Sequence, residues 1–99
     1  MMLEPVVPSA SLTVATVVVC STPALLHSVV LNPAAAASTI TVYDNATTNS
    51  GTVLALLQAV ANGASVVFTP TAPIYCAKGI TAVVTGSSAT GIAYFQKVN

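Results

Sequence analysis

Few side chains in this sequence could carry out acid–base, nucleophilic or metal chemistry. The 99 residues include two carboxylates, Glu4 and Asp44, two lysines and a single histidine, His27. Two catalytic carboxylates must meet across one substrate, and here one lies near the N-terminus while the other follows a predicted strand. His27 lies in an apolar run, and the sequence has no Gly-x-Ser-x-Gly nucleophile motif. We therefore expect no enzymatic activity, and we expect His27 to be a hydrogen-bonded interior or interface residue.

The sequence also offers little for a metal ion or a cofactor. Two cysteines and one histidine without a Cys-x-x-Cys spacing fall short of the four ligands of a zinc site. Asp44 and Asn45 open a polar loop that ends at Gly51, and a single carboxylate is a weak set of calcium ligands. Such side chains more often hydrogen-bond backbone amides two residues further on and start a turn. We expect no cofactor and no metal site.

The two cysteines, Cys20 and Cys76, could close one long disulfide loop or remain free thiols. The residues before the first apolar run hold Glu4, Pro5 and Pro8 but no basic residue, which is unlike the start of a secretory signal peptide. A cytosolic environment keeps thiols reduced. We therefore predict that the two cysteines are not joined and that the chain stays in the compartment where it is made.

The composition excludes several classes of protein. Hydrophobic residues make up 55% and charged residues 4% of the chain, with a net charge of zero, whereas a charged share of about 25% is usual. Disorder and the neutralisation of nucleic-acid phosphates both require far more charge. We expect no nucleic-acid partner. An uncharged surface favours association, so the composition predicts a homo-oligomer with a mainly apolar interface.

One apolar window, from Leu12 to Leu31, is long enough to span a bilayer as a helix. Pro23 lies near its centre, where it would break a helix. The window is rich in β-branched residues, which favour strands, and no lysine or arginine flanks it. We expect no membrane partner.

The rest of the pattern consists of short apolar runs separated by turn residues, at a spacing of about ten residues. This spacing predicts an all-β fold: a single domain over residues 12–99, built as an eight-stranded antiparallel sandwich, of which the jelly roll is one form. One segment is ambiguous, because its apolar residues also fit one face of a short helix. It is the fourth of the predicted strands, which are Leu12–Cys20, Ala24–Leu31, Thr39–Tyr43, Thr52–Ala61, Ala64–Thr69, Ile74–Ala77, Ile80–Thr85 and Gly91–Lys97.

Residues 1–11 are predicted to form an extended N-terminal arm. Pro5 and Pro8 prevent a helix and disfavour a central strand, while Val6 and Val7 are apolar. Exposed valines on a lone arm favour association, so we predict that these four residues bind a neighbouring subunit. A frayed terminus is the alternative.

The aromatic residues are few. Phe68 and Phe95 are most simply explained as core residues. Tyr43 and Tyr75 lie in or near the ends of predicted strands, and tyrosine often buries its ring at an interface while its hydroxyl stays in water. We predict that both tyrosines contact a partner, and a packed edge of the monomer is the alternative.

Four segments follow one another in a recognisable order. A strand ends in Asn, the next ends in Tyr-Asp, a Ser-Gly pair precedes a third, and Gly-Ile opens a valine-rich strand that ends at a Gly turn. In this order the chain resembles the small all-β virion proteins of tailed bacteriophages, over about Leu26 to Phe95. The segments are Leu26–Asn32, Ile40–Asn45, Ser50–Ala55 and Gly79–Gly86.

This resemblance implies a non-enzymatic structural protein of the virion. The favoured role is a capsid decoration (cement) protein that binds the major capsid protein on the capsid exterior and stabilises the head. The alternative is a small tail- or fibre-associated module that contacts a receptor or a glycan. A small membrane protein ranks third, behind a structural virion protein and a binding module. The resemblance further implies a homotrimer, made in the cytoplasm of the bacterial host. The apolar portion Met1–Pro23 departs from the pattern, which leaves the choice between capsid and tail open.

Overall fold

The computed structural model describes residues 4–98, and within these residues it contains strands, turns and loops but no helix. This confirms the all-β prediction. Short apolar runs of β-branched residues form the strands, because side chains branched at Cβ pack well on a pleated surface. The strands are β1 (Val7–Pro8), β2 (Ala15–Cys20), β3 (Ala24–Asn32), β4 (Ser38–Asp44), β5 (Thr52–Ala59), β6 (Val66–Phe68), β7 (Ile74–Cys76), β8 (Ile80–Thr85) and β9 (Thr90–Lys97).

The strands form two antiparallel sheets. The first sheet has the order β1-β9-β3-β6, and β7 pairs with β3 beside β6; the second sheet has the order β2-β8-β4-β5. The pairs are nested in the sequence: β1 with β9, β2 with β8, β3 with β6 and β7, and β4 with β5. The chain is thus one long antiparallel ribbon that turns back between β4 and β5. Two further pairings, β3 with β9 and β4 with β8, connect different parts of this ribbon and complete the two sheets.

A single cluster of buried side chains draws on both sheets. Strand β3 of the first sheet contributes Leu26 and Val29, while β4 and β8 of the second contribute Ile40 and Ile80, all without exposed surface. Full burial of one such side chain stabilises the fold by about 1.5–3 kcal/mol. The two sheets are therefore held by one core, and in strands such as β4 and β9 its side chains alternate with less buried ones.

A bulge in β3 shifts this alternation. The register of β3 against β9 changes between Leu26 and Ser28, so His27 is the extra residue. Leu26 and Val29, three positions apart, consequently both point into the core. Sequence periodicity alone would have placed one of them on the outer face.

Residues 4–98 form nine strands, and the prediction of eight was wrong in this count. The additional strand is β1, which the sequence pattern had placed in the arm. Val7 pairs with Phe95 and Pro8 with Tyr94 of β9. A proline fits this position, because an edge strand leaves one row of backbone amides without a ladder partner.

The ambiguous segment 52–61 forms a strand. In β5 the buried residues Ala55, Leu57 and Ala59 alternate with exposed ones, which is the period of a strand and not of a helix. The first predicted run, Leu12–Cys20, begins as strand β2 only at Ala15. Leu12 is nevertheless buried, and its backbone exchanges two hydrogen bonds of 2.8 Å with Gly91.

Candidate interaction surfaces

The residues predicted to bind a partner lie in three separate places. Residues 5–8, which hold the two prolines and two valines of the arm, run along one edge of the first sheet. Tyr75 lies on β7 at the opposite edge of that sheet and is exposed. Tyr43 lies on β4 of the second sheet, where it is half-buried. The structure therefore does not gather the predicted residues into one site.

The arm contacts its own domain through backbone hydrogen bonds. The Ser9 amide donates to the Ala93 carbonyl at 2.7 Å, and the Ala93 amide donates to Ser9 Oγ at 3.0 Å. Val6 and Val7 nevertheless leave 46% and 38% of their surface exposed. One side of the arm is thus open, and its binding to a neighbouring subunit stays a prediction.

The exposed large apolar side chains cluster on edge strands and at their ends. On the second sheet, Val53 and Leu56 lie on the edge strand β5 and Val60 follows it, while Val18 lies on the other edge strand, β2, and Val14 precedes it. More than half of the surface of Val53, Leu56 and Val60 is exposed. On the first sheet, the corresponding residues are Val6, Val7, Val67 and Tyr75.

The sequence pattern did not identify the exposed apolar residues of the second sheet. It assigned Leu12–Cys20 and Thr52–Ala61 as strands, but strand order within a sheet depends on contacts between distant parts of the chain. One signal was present: neither run contains a charged residue or a proline. Natural edge strands commonly carry one or the other.

A groove of about 490 Å³ lies where β4 begins and β5 ends. Ser38 is buried at this groove, and its Oγ has no hydrogen-bond partner within the described residues. A buried polar group without a partner costs about 1–3 kcal/mol. The groove is otherwise mostly apolar; its lining residues are Ala37, Ser38, Thr39, Gln58, Ala59 and Val60.

His27 makes a specific hydrogen bond on the first sheet. Its Nε2 donates to Oε1 of Gln96 at 3.0 Å, from strand β3 to strand β9. The side chain is half-buried. The prediction of a hydrogen-bonded histidine is confirmed, and the alternation of β3, in which Ala24 and Leu26 point inward, places the imidazole outside the apolar core.

The loop after β4 is organised by its first two side chains. Asn45 Oδ1 accepts from the backbone amides of Thr47 and Thr48, both at 2.9 Å. Asp44 Oδ1 accepts from the backbone amide of Lys78 at 3.0 Å, which ties this loop to the turn before β8. The prediction that these side chains bond nearby amides and start a turn is confirmed for Asn45. It is wrong for Asp44, because the fold brings the Lys78 amide to its carboxylate instead.

Cys20 and Cys76 are both buried as free thiols. Burial raises the pKa of the Cys76 thiol to about 12, and the nearby Asp44 carboxylate adds to the shift. The Cys76 thiol donates to the Ile74 carbonyl at 3.5 Å. Since the thiolate is the nucleophilic form, Cys76 is chemically inert at neutral pH.

Residues 4–98 hold neither a cluster of metal ligands nor a helix that could cross a membrane. No three His, Cys, Asp or Glu side chains come close enough together to hold a metal ion. No helix in this part of the chain is long and apolar enough to cross a membrane.

The chain was compared with protein families, curated proteins and solved structures. No family, no curated protein and no solved structure matches it.

Proposed function

We propose, on the basis of the nested strand pairing, that this domain is a jelly-roll sandwich. A jelly roll has eight strands in two sheets, and its ribbon of paired strands wraps so that the sheets hold strands 1, 8, 3, 6 and 2, 7, 4, 5. Both β6 and β7 pair with β3, at its two ends, so they count as two halves of one strand. The observed orders β1-β9-β3-β6 and β2-β8-β4-β5 then support this arrangement.

We propose further that the protein is a non-enzymatic structural component of a bacteriophage virion. Its favoured role is that of a decoration protein on the outer surface of the capsid, bound to the major capsid protein and to further copies of itself. Jelly rolls occur in viral capsid proteins, in lectins and in cupins, so the fold leaves several functions open. The observation that carries the proposal is the charge-free apolar surface along the edge strands, above all at Leu56 and Val60.

The physical basis of this role is burial of apolar surface between subunits. Such burial contributes about 25 cal/mol per Å² removed from water, and a standard interface covers about 800 Å² per partner. A small protein that bridges neighbouring capsid subunits adds this free energy to the contacts that the capsid already makes. It thereby opposes the outward pressure of the packaged DNA without any catalytic chemistry.

A tail- or fibre-associated binding module is the second candidate. The loop of residues 44–51 favours it, because this loop is polar, largely exposed and held in shape by the Asn45 hydrogen bonds. Glycan recognition uses polar groups of this kind, fixed in orientation. The module would present this loop to a receptor or a glycan, and the apolar edges would serve only its assembly.

The number of copies per particle tests the two roles against each other. Quantitative mass spectrometry of purified virions of the phage that encodes this chain is expected to find hundreds of copies. A handful of copies would instead indicate the tail module. Absence from the particle would overturn both.

Reconstitution adds a functional measurement. Heads assembled without this protein are expected to release their DNA at a lower temperature, and the purified chain is expected to restore the higher temperature on addition. Heads whose release temperature does not respond to the added chain would contradict the stabilising role.

A further inference from the structure

Both edges of the second sheet lack the prolines and charges that commonly prevent pairing with another strand. Each edge strand has one bulge, at Val19 of β2 and at Leu54 of β5, and the remaining residues of each strand keep a regular register. The edge strand β5 has eight residues and β2 has six, and neither contains a proline, a glycine or a charged residue. No backbone hydrogen bond in the described chain reaches either strand apart from those to β4 and β8. Each strand therefore presents a row of unpaired amide and carbonyl groups along its outer side, and such rows readily pair with another chain.

The two edges run in directions that suit each other. The sheet has four strands, all antiparallel to their neighbours, so β2 and β5 point in opposite directions. A second copy placed beside the first, in the same orientation, brings its β2 against β5 as a further antiparallel strand. No charged side chains oppose each other in this contact, because neither strand carries any.

The surfaces at the ends of these strands also correspond. In an antiparallel pair, the start of β2 lies beside the end of β5. The exposed Val14 precedes β2, while the groove of about 490 Å³ lies at the end of β5 and is lined by Gln58 and Val60. A neighbouring Val14 would thus reach an open, mostly apolar groove.

We propose that β5 of one copy pairs with β2 of the next, head to tail, and that the series closes into a ring. This inference deepens the proposed homo-oligomer and rests on it. A head-to-tail contact forms a closed ring when the rotation between copies allows it, and a ring pairs every open edge. Pairing of β5 with a second β5 about a two-fold axis would leave both β2 edges open, which is why the head-to-tail contact is favoured.

Cross-linking of the full-length chain tests which edges meet. Val18→Cys places a thiol on the exposed face of β2, and Leu56→Cys places one on the exposed face of β5. A bismaleimide with a span of about 10 Å covers a strand spacing of about 4.8 Å with a shift of two residues. Equivalent residues of successive copies are four strand spacings apart, or roughly 19 Å. The cross-linker is too short to join them. The wild-type chain, whose own thiols are buried, is the control.

The expected result is a covalent dimer only when the two variants are co-expressed, because one chain then supplies β2 and the other β5. Each variant alone and the wild type are expected to stay uncross-linked. Cross-linking of Leu56→Cys by itself would show that β5 pairs with β5 and would overturn the proposal. A monomeric wild-type chain in light scattering, or an oligomer without any cross-link, would overturn it as well.

This result is separable from the test of the virion role. A high copy number on particles without the mixed cross-link removes the head-to-tail contact and leaves the decoration role. The mixed cross-link in a chain absent from virions removes the decoration role and leaves the contact.

Discussion

The two sheets of this domain end in different kinds of edge strand. In the first sheet, one edge is β1, with two residues, one of them Pro8, and the other edge is split into β6 and β7 of three residues each. Pro70 and Pro73 lie between those two short strands. In the second sheet, the edges are the longer β2 and β5, which each contain one bulge but hold no proline and no charge. Short edges and prolines prevent pairing between molecules, so the first sheet is the better protected of the two.

We expect the two sheets to differ in their contacts with other subunits. Both contribute apolar side chains to one shared core cluster. They differ only where a neighbouring chain could add a strand. An edge left open in a chain with so little surface charge leads to aggregation unless a specific partner covers it. The second sheet is therefore the part of the molecule in which to look for assembly contacts.

Truncation of the shared core should affect both sheets alike. Leu26→Ala in β3 and Ile40→Ala in β4 each remove a side chain without exposed surface, and each should lower the free energy of unfolding by about 2–5 kcal/mol. Urea unfolding should remain a single transition in both variants. Val67→Ala, at a position 61% exposed on β6, is the control and should change stability by less than about 0.5 kcal/mol. Separate transitions for the two sheets would contradict a common core.

A lysine introduced on an edge strand should weaken association of the chains in the second sheet but not in the first. Leu56→Lys on β5 places a charge in the proposed contact. A disruptive change at the centre of an interface costs about 2 kcal/mol or more of binding free energy. This cost corresponds to a roughly thirty-fold loss of association. Val67→Lys on β6, an equally exposed position of the better protected sheet, should leave the oligomer intact. Sedimentation velocity measures both. Equal loss of association in the two variants would remove the distinction between the sheets.

Removal of the prolines should leave the first sheet with an edge that can pair with another molecule, as the edges of the second sheet can. Replacement of Pro5 and Pro8 by valine restores two backbone amides along the arm and leaves an apolar edge beside β9. We expect the double variant to form larger species as its concentration rises, at a salt-independent rate, because the attraction is apolar. Light scattering over a concentration series detects this. A variant that keeps the wild-type size distribution would show that the prolines do not protect this edge.

The buried Cys76 thiol should affect stability only at alkaline pH. The pKa of Cys76 is raised from 9.0 to about 12 in the folded chain, so between these values the unfolded chain has lost a proton that the folded chain retains. Stability should therefore be unaffected below about pH 9 and should fall as the pH rises towards 12, by up to about 1 kcal/mol per pH unit. Cys76→Ala should flatten this part of the curve when urea unfolding is followed against pH.

Mass spectrometry of the same protein tests the state of the thiols. After unfolding without reductant, alkylation should label both Cys20 and Cys76. A chain two hydrogens lighter, with neither cysteine labelled, would contradict the reduced state and with it the inference that the chain stays in a reducing compartment.

The all-β class and most strand positions could be read from the sequence. The alternation of Ile40 and Val42 with threonines predicts a half-buried strand, and the structure contains it as part of β4. Asn45 could be recognised as the start of a turn, since its short amide side chain reaches amides two and three residues further on. These features depend on neighbouring residues, so local patterns are sufficient to find them.

The edges of the sheets were decided only by the tertiary structure. Val7 and Pro8 resemble a loose arm until β9 is brought beside them, and the exposed Leu56 resembles a core residue until β5 is found at the end of its sheet. The bulge at His27, which reverses the alternation within β3, likewise depends on the register against β9. Strand order and register arise from contacts between residues far apart in the chain, and hydrophobic periodicity along one strand does not encode which neighbour that strand receives.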